Sequence, residues 1–185
     1  MTGHGTPAVR RATPGDADAL AGLARDTFVE TFGHLYRPAD LAAFLAKSQS
    51  VAAYAPLLED PRVAVWVAEG ASGALVGFLN AGPCKLPLPE PEPNAGEIRQ
   101  LYLRSSVQGG GLGTRMLVTG LEWLAAQGHY PLYVGVWSGN FGAQRLYGRF
   151  GFEKVGEYDF PVGEHLDREF ILRRRTIPPP VPGGS

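Results

Sequence analysis

Residues 108–113 read Gln-Gly-Gly-Gly-Leu-Gly, and this short run limits what the chain can fold into more than any other. Three successive glycines and a fourth two positions on let the backbone enter positive-φ conformations and approach a ligand closely. Residues 97–103 before it read as a strand. Residues 112–127 after it place Leu117, Gly120, Leu121 and Leu124 on one stripe and read as a helix closed by Gly128. A glycine-rich turn between strand and helix gathers free N–H groups at the positive end of the helix dipole, which suits a pyrophosphate. A tight turn with no ligand is the alternative. Other phosphate motifs fit worse. Thr114-Arg115 follows Gly113 where a P-loop needs Lys and Ser or Thr, and a dinucleotide fingerprint begun at Gly109 or Gly111 fails at its last glycine.

The surrounding pattern mixes strands with helices. Residues 8–12 read as a strand, Thr13-Pro14-Gly15-Asp16 as a turn and cap, and 17–28 as a helix. A second helix begins near Pro38, with Leu41, Phe44 and Leu45 on one face. Residues 63–68 and 75–80 flank a Gly-rich turn and read as a hairpin, whereas 83–93 hold five prolines and read as a surface loop. Residues 132–136 read as a strand, 140–150 as a helix stopped by Gly151, and 152–160 and 165–172 as two closing strands.

With 185 residues, 44% of them hydrophobic, the chain has material for one substantial core. One domain is expected over 8–175, with flexible tails at 1–7 and at the Pro/Gly-rich 176–185. A net charge of -1 provides no overall field for nucleic acid or an anionic membrane, so neither is an expected partner. Cys84 is the lone cysteine, which excludes an internal disulfide and a multi-cysteine zinc site; no metal is expected. No apolar run approaches the roughly 20 residues of a membrane span, and 1–7 lacks the features of a signal peptide, so a cytoplasmic location is expected.

A second constellation lies at 137–152, one strand beyond the helix that follows the glycines. Leu146 and Phe150 are spaced to pack together, while Tyr147 points in a neighbouring direction and has a hydroxyl to offer to a cleft. Taken alone, Tyr147 reads first as an ordinary half-buried aromatic and only second as a functional group.

Together these segments resemble the GNAT superfamily of N-acetyltransferases. Gln108, Gly111 and Gly113 match its Gln-x-x-Gly-x-Gly coenzyme A pyrophosphate loop, which brings Gly109, Gly110, Leu112 and Thr114 with it. Ile98-Arg99-Gln100-Leu101-Tyr102-Leu103 is similar to the preceding strand, whose backbone receives the pantetheine arm; this implicates Leu101, Tyr102 and Leu103. Asn140, Ala143, Tyr147 and Gly151-Phe152 resemble the later motif, in which the asparagine helps hold the cofactor and the tyrosine protonates the departing thiolate. The resemblance implies an α/β single-domain fold with a mixed, mostly antiparallel sheet flanked by helices. It also implies acetyl-coenzyme A as co-substrate and a small-molecule amine as acceptor, and a homodimer is compatible with it. Residues 27–41 are similar to the early helical region of the polyamine (spermidine/spermine) acetyltransferases.

Acyl transfer to an amine needs a neutral amine, a stabilised oxyanion and a proton for the leaving thiolate. An alkylammonium with a pKa of about 10.4 is charged at neutral pH, so a base is required, and Glu97 at the head of the strand is the first candidate. A solvated strand end is the plain alternative for it. Glu30 and His34, four apart, are candidates for the acceptor side. Glu30, Asp40 and Glu97 are expected to face one cleft and attract spaced ammonium groups. Backbone N–H groups near 101–103 are candidates for the oxyanion. A covalent route through Cys84 lacks a nearby base, so direct attack is preferred. The competing function class is a non-catalytic acyl-coenzyme A-binding sensor or partner-binding module on the same fold.

Overall fold

A computed structural model describes residues 5–90 and 92–175; the expectations for 1–4 and 176–185 lie outside the described residues. Seven strands form one sheet in the order β1-β2-β3-β4-β5-β7-β6, with β1 at Ala8–Arg11, β2 at Ala64–Glu69, β3 at Leu75–Pro83, β4 at Gly96–Leu103, β5 at Leu132–Trp137, β6 at Phe152–Val162 and β7 at His165–Arg174. Every neighbouring pair is antiparallel except β4 and β5. This is the mixed, mostly antiparallel α/β sheet the sequence led us to expect.

The run 63–68 is apolar throughout because β2 is buried on both faces. Val65 and Val67 join Phe78 beneath helices α1 (Ala17–Phe32) and α3 (Val51–Glu59), where Leu20, Leu23 and Tyr54 meet them. Trp66 and Leu79 point the other way, towards Met116, Leu117, Leu121 and Leu124 of α4 (Leu112–Ala126). Successive side chains alternate faces, so a strand covered by helices on both sides needs apolar residues at every position. Gly120 allows α4 to lie close on the sheet, since a Cβ there would stand 2.8 Å from Leu79 and 2.9 Å from Ile98. A third cluster joins Phe28 and Phe32 of α1 to Phe44 and Leu45 of α2 (Pro38–Ser48) and to Val162 of β6.

Several elements differ from expectation; β3 runs three residues past its expected end to Pro83, which pairs with Gly96 where a surface loop was expected. Helix α1 runs to Phe32, four residues past the expected end, because Phe28 and Phe32 both bury against α2. Helix α3 was not anticipated. Its one start signal is Ser50, whose hydroxyl accepts the Ala53 N–H at 3.3 Å, and Pro56 inside it reads as a breaker. Strand β6 continues through Pro161 to Val162, which an edge strand tolerates because the missing N–H faces away from the sheet. No helix among the described residues is long and apolar enough to cross a membrane.

Candidate active site

The parallel pair β4 and β5 is joined over only three residue pairs, Gly96 with Leu132, Glu97 with Tyr133 and Ile98 with Val134. Beyond Ile98 the strands part. The pairing of β4 with β3 skips Arg99, so a bulge there bends β4 away from β5. The Arg104 N–H reaches Val76 O at 2.9 Å, and strand alternation therefore turns the N–H groups of Leu101 and Leu103 away from β3 and into the gap. Leu103 O on that same side accepts the Gln108 side-chain amide at 3.1 Å.

The Gly loop closes one end of this gap. Gly109 and Gly111 both have φ +81°, a region that side chains disfavour, and added Cβ atoms at Gly109, Gly110 and Gly111 would meet nothing within 4 Å. The loop therefore uses its glycines for backbone shape and open access. The first bond of α4 runs from the Arg115 N–H to Gly111 O at 3.0 Å, so the N–H groups of Leu112, Gly113 and Thr114 have no helical acceptor. These donors, at the positive end of a 15-residue helix, suit a phosphate. The Leu112 side chain itself turns into the core. A groove of ≈ 530 Å³ runs from the loop past Leu101, Tyr102 and Leu103 to Asn140 and Tyr147.

Tyr147 belongs to α5 (Phe141–Arg149), which starts at Asn140, whose side chain caps it by accepting the Ala143 N–H at 3.1 Å. Gln144 fixes the same turn by donating to Trp137 O and Ser138 O. The Tyr147 ring packs into the core beside Phe152, 5% exposed, and its hydroxyl makes no hydrogen bond among the described residues. Burial raises its pKa well above the usual phenol value, with the charge of Glu169 adding to the effect, so it keeps its proton throughout the neutral range. Tyr147, Asn140, Ala143, Leu101 and Tyr102 line both the Gly-loop groove and a second cleft of ≈ 320 Å³.

That second cleft is walled by rings. Phe28 lies against Phe44 at 4.6 Å and stacks with Tyr36 at 6.0 Å, and Phe32 meets Trp137 edge-on at 5.8 Å. Glu97, Asp167 and Glu169 supply its carboxylates. Glu97 is 6% exposed and accepts the Lys85 N–H at 2.8 Å; burial raises its pKa, against lowering by that bond and by the charges of Arg99 and Lys85. Asp167 accepts the Tyr36 hydroxyl and lies 3.2 Å from His165 Nε2. Glu169 is pushed up to about 7, by burial first and by the charge of Asp167 second. Asp167 and Glu169 were not singled out in the sequence, where they sit in an ordinary alternating strand.

Other expected site residues are placed elsewhere. Glu30 accepts the Ser105 N–H at 3.0 Å and pairs with Arg104 at 3.4 Å, so its charge holds the approach to the Gly loop and lies outside the lining of the ring-walled cleft. His34 follows the end of α1 on an exposed 3-10 turn, also outside that lining, because the helix that was to align it with Glu30 stops at Phe32. Asp40 binds Arg37 Nε and the Glu164 N–H, each at 2.8 Å, and anchors the β6–β7 turn. The expectation that Glu30, Asp40 and Glu97 face one cleft is thereby corrected: the first two are committed to structural contacts. Cys84 is half-buried and its thiol is pushed up to about 11 by burial, which leaves little thiolate for a covalent route.

Two grooves that meet at Tyr102 and Tyr147, with phosphate-suited donors in one and carboxylates in the other, define a group-transferring α/β enzyme that brings two substrates together at a split sheet. The model of the Acetyltransferase (GNAT) family matches residues 21–152, and the chain belongs to that family. Its sequence is 28% identical over 166 residues to an uncharacterised N-acetyltransferase of the pepI 3′ region of Lactobacillus delbrueckii subsp. lactis, covering 88% of this chain and 93% of that one. It is 29% identical over 162 residues to an uncharacterised N-acetyltransferase of Mycobacterium tuberculosis, covering 88% and 99%. Among solved structures, the PaiA N-acetyltransferase of Thermoplasma acidophilum, determined in complex with coenzyme A, shares the fold with a TM-score of 0.72 at 16% identity, over 92% of this chain and 99% of that one. The protein is an N-acetyltransferase.

Proposed function

We propose that the enzyme transfers acetyl from acetyl-coenzyme A to a primary amine on a small, extended cationic acceptor of polyamine type, by direct attack in a ternary complex. The observation that carries this reading is the position of Tyr147, whose ring lines both the Gly-loop groove and the carboxylate-bearing cleft. Acetyl-coenzyme A supplies the activated acyl group as a thioester. The loop donors from Gly109 to Thr114 suit its pyrophosphate, and the Leu101 and Leu103 N–H groups face the gap where its arm would run and where an oxyanion would need a donor. Asn140 orders the turn that presents Tyr147.

The amine nitrogen must give up a proton before its lone pair attacks the carbonyl carbon. Glu97, buried with a raised pKa, is the base for this reading, directly or through a water. A C–N bond forms, the carbonyl π electrons move to oxygen and return, and the C–S bond breaks. The thiolate takes the Tyr147 hydroxyl proton, the second nitrogen proton passes through solvent to restore the phenol, and Glu97 gives its proton to solvent, so each ammonium acetylated frees one proton.

Thiol release from acetyl-coenzyme A, followed across polyamines, aminoglycosides, amino acids and peptide N-termini, tests the reading. Turnover with spermidine or spermine is the expected result. Turnover confined to peptides or amino acids removes the polyamine class, and no release with any amine removes acyl transfer to amines.

A further inference from the structure

Three carboxylates line the ring-walled cleft, and the protein satisfies two of them. Glu97 has the Lys85 N–H, and Asp167 has the Tyr36 hydroxyl with His165 beside it. Glu169 makes neither a hydrogen bond nor an ion pair among the described residues. Two cations, Lys85 and Arg99, also line the cleft. Lys85 and Arg99 act on Glu97 but not on Glu169, and the Arg99 guanidinium is bound to Pro83 O at 2.6 Å.

The fold sets Glu169 among rings. On β7 it faces Trp137 of β5 and Tyr158 of β6 in the sheet register. Gly135 leaves room beside it: a Cβ at that position would stand 3.1 Å from the Tyr158 hydroxyl and 3.9 Å from Glu169 Oε2. The charge of Glu169 raises the pKa of Tyr36, Tyr102, Tyr147 and Tyr158, which places it within electrostatic reach of all four phenols. Glu169 is half-buried, and a partly desolvated carboxylate without a counter-charge from the protein is relieved when a cation arrives from outside. Ring faces attract such a cation, and apolar walls favour the methylenes that carry it.

We propose that Glu169, backed by Asp167, is a cation-binding subsite that selects acceptors bearing a second positive charge, seating one ammonium while the amine to be acetylated lies toward Tyr147 and Glu97. The proposal rests on the reading of the enzyme as an amine acetyltransferase given above, and it names the acceptor as an α,ω-diamine or its polyamine extension. It also replaces the acidic set expected from the sequence with one that has a free member.

The experiment compares 1,5-diaminopentane with pentylamine, equal in carbon chain and different by one charge, as acceptors at saturating acetyl-coenzyme A. Wild type is expected to favour the diamine by at least about tenfold in kcat/KM, the order of one charge-assisted contact. Glu169→Gln is expected to bring the two amines within about threefold through the diamine KM, with the KM for acetyl-coenzyme A unchanged. Glu169→Asp retains the charge and a preference above that level. A wild type without preference overturns the proposal, and this holds even if the glutamine variant does not fold. So does a folded glutamine variant whose preference is intact. Equal turnover of both amines sinks the subsite and leaves amine acetylation standing, whereas no turnover of either these amines or the wider panel sinks the reading on which it rests.

Discussion

Glu30 and Ser105 are joined by a 3.0 Å hydrogen bond from the Ser105 N–H to the Glu30 carboxylate, which ties α1 to the short turn that leads into the Gly loop. Seventy-five positions apart in sequence, the two residues set where the loop begins. Glu30→Ala is therefore expected to raise the KM for acetyl-coenzyme A by about 3- to 10-fold, a modest loss because the contact is partly exposed. The acceptor KM should stay within about twofold. A change in acceptor KM alone would return Glu30 to the amine side.

Gly111→Glu places a bulky anion in a loop whose φ of +81° disfavours any side chain and whose donors suit a phosphate. The KM for acetyl-coenzyme A should rise by at least about tenfold. Leu112→Met, a volume-conserving change of a core side chain, should cost less than about 1.5 kcal/mol and leave that KM nearly unchanged. Equal co-substrate KM in the two folded variants would remove the loop from phosphate recognition.

Tyr147→Phe keeps the ring that packs on Phe152 and removes only the hydroxyl. Turnover is expected to fall by roughly 10- to 1,000-fold with co-substrate affinity intact, since general acid help is worth 10² or more and water is a partial substitute. The raised pKa puts the loss of that proton well above neutrality, so no fall in rate from Tyr147 is expected between pH 7 and 9. An unchanged rate where chemistry limits would exclude the role.

Glu169 couples binding and stability to pH in opposite directions. Its folded pKa is about 7 against an ordinary 4.5, with Asp167 the facing charge and Tyr36, Tyr102, Tyr147 and Tyr158 the facing phenols. Because the folded value is raised, its stabilising contribution is complete below about 4.5 and is lost as pH climbs through about 7. Above pH 7, Glu169→Gln should therefore be more stable than wild type by on the order of 1–2 kcal/mol, a Tm gain of roughly 2–8 °C that shrinks toward pH 5. The KM of wild type for a diamine should fall over the same interval, as the carboxylate ionises. Melting curves at pH 5 to 8 check the first claim; parallel curves for the two proteins would contradict it.

The parts of the site that depend on local sequence were legible before the structure. A run of glycines between a strand and a helix fixes its own geometry, and the stripe from Leu117 to Leu124 announces the face that packs on the sheet. The carboxylates of β7 in the ring-walled cleft were not legible, because Asp167 and Glu169 meet the cleft only once β7 has been inserted between β5 and β6. The Tyr36 partner of Asp167 is 131 positions away, and no spacing rule reaches that far. Glu30 and His34 misled for the complementary reason. A four-residue spacing implies a shared face only while the helix lasts, and α1 ends at Phe32 between them. Asp40 was expected to share a cleft with Glu30 and Glu97 and is instead the socket for the β6–β7 turn, with room only because residue 163 is glycine: a Cβ there would stand 2.4 Å from Asp40 Oδ1.

The early parting of β4 from β5 leaves main-chain donors at Leu101 and Leu103 in the middle of the sheet with no neighbouring strand to claim them. An open margin of this kind usually lies on the outside of a fold, where water competes for it. Here it is internal, and its donors are peptide groups that no exchange of one side chain for another removes. The two banks of the gap are thereby independent in design. On the proposed function, changes to the rings and acids of one bank alter which amine is accepted, while the main chain of the other keeps the same hydrogen bonds for acetyl-coenzyme A.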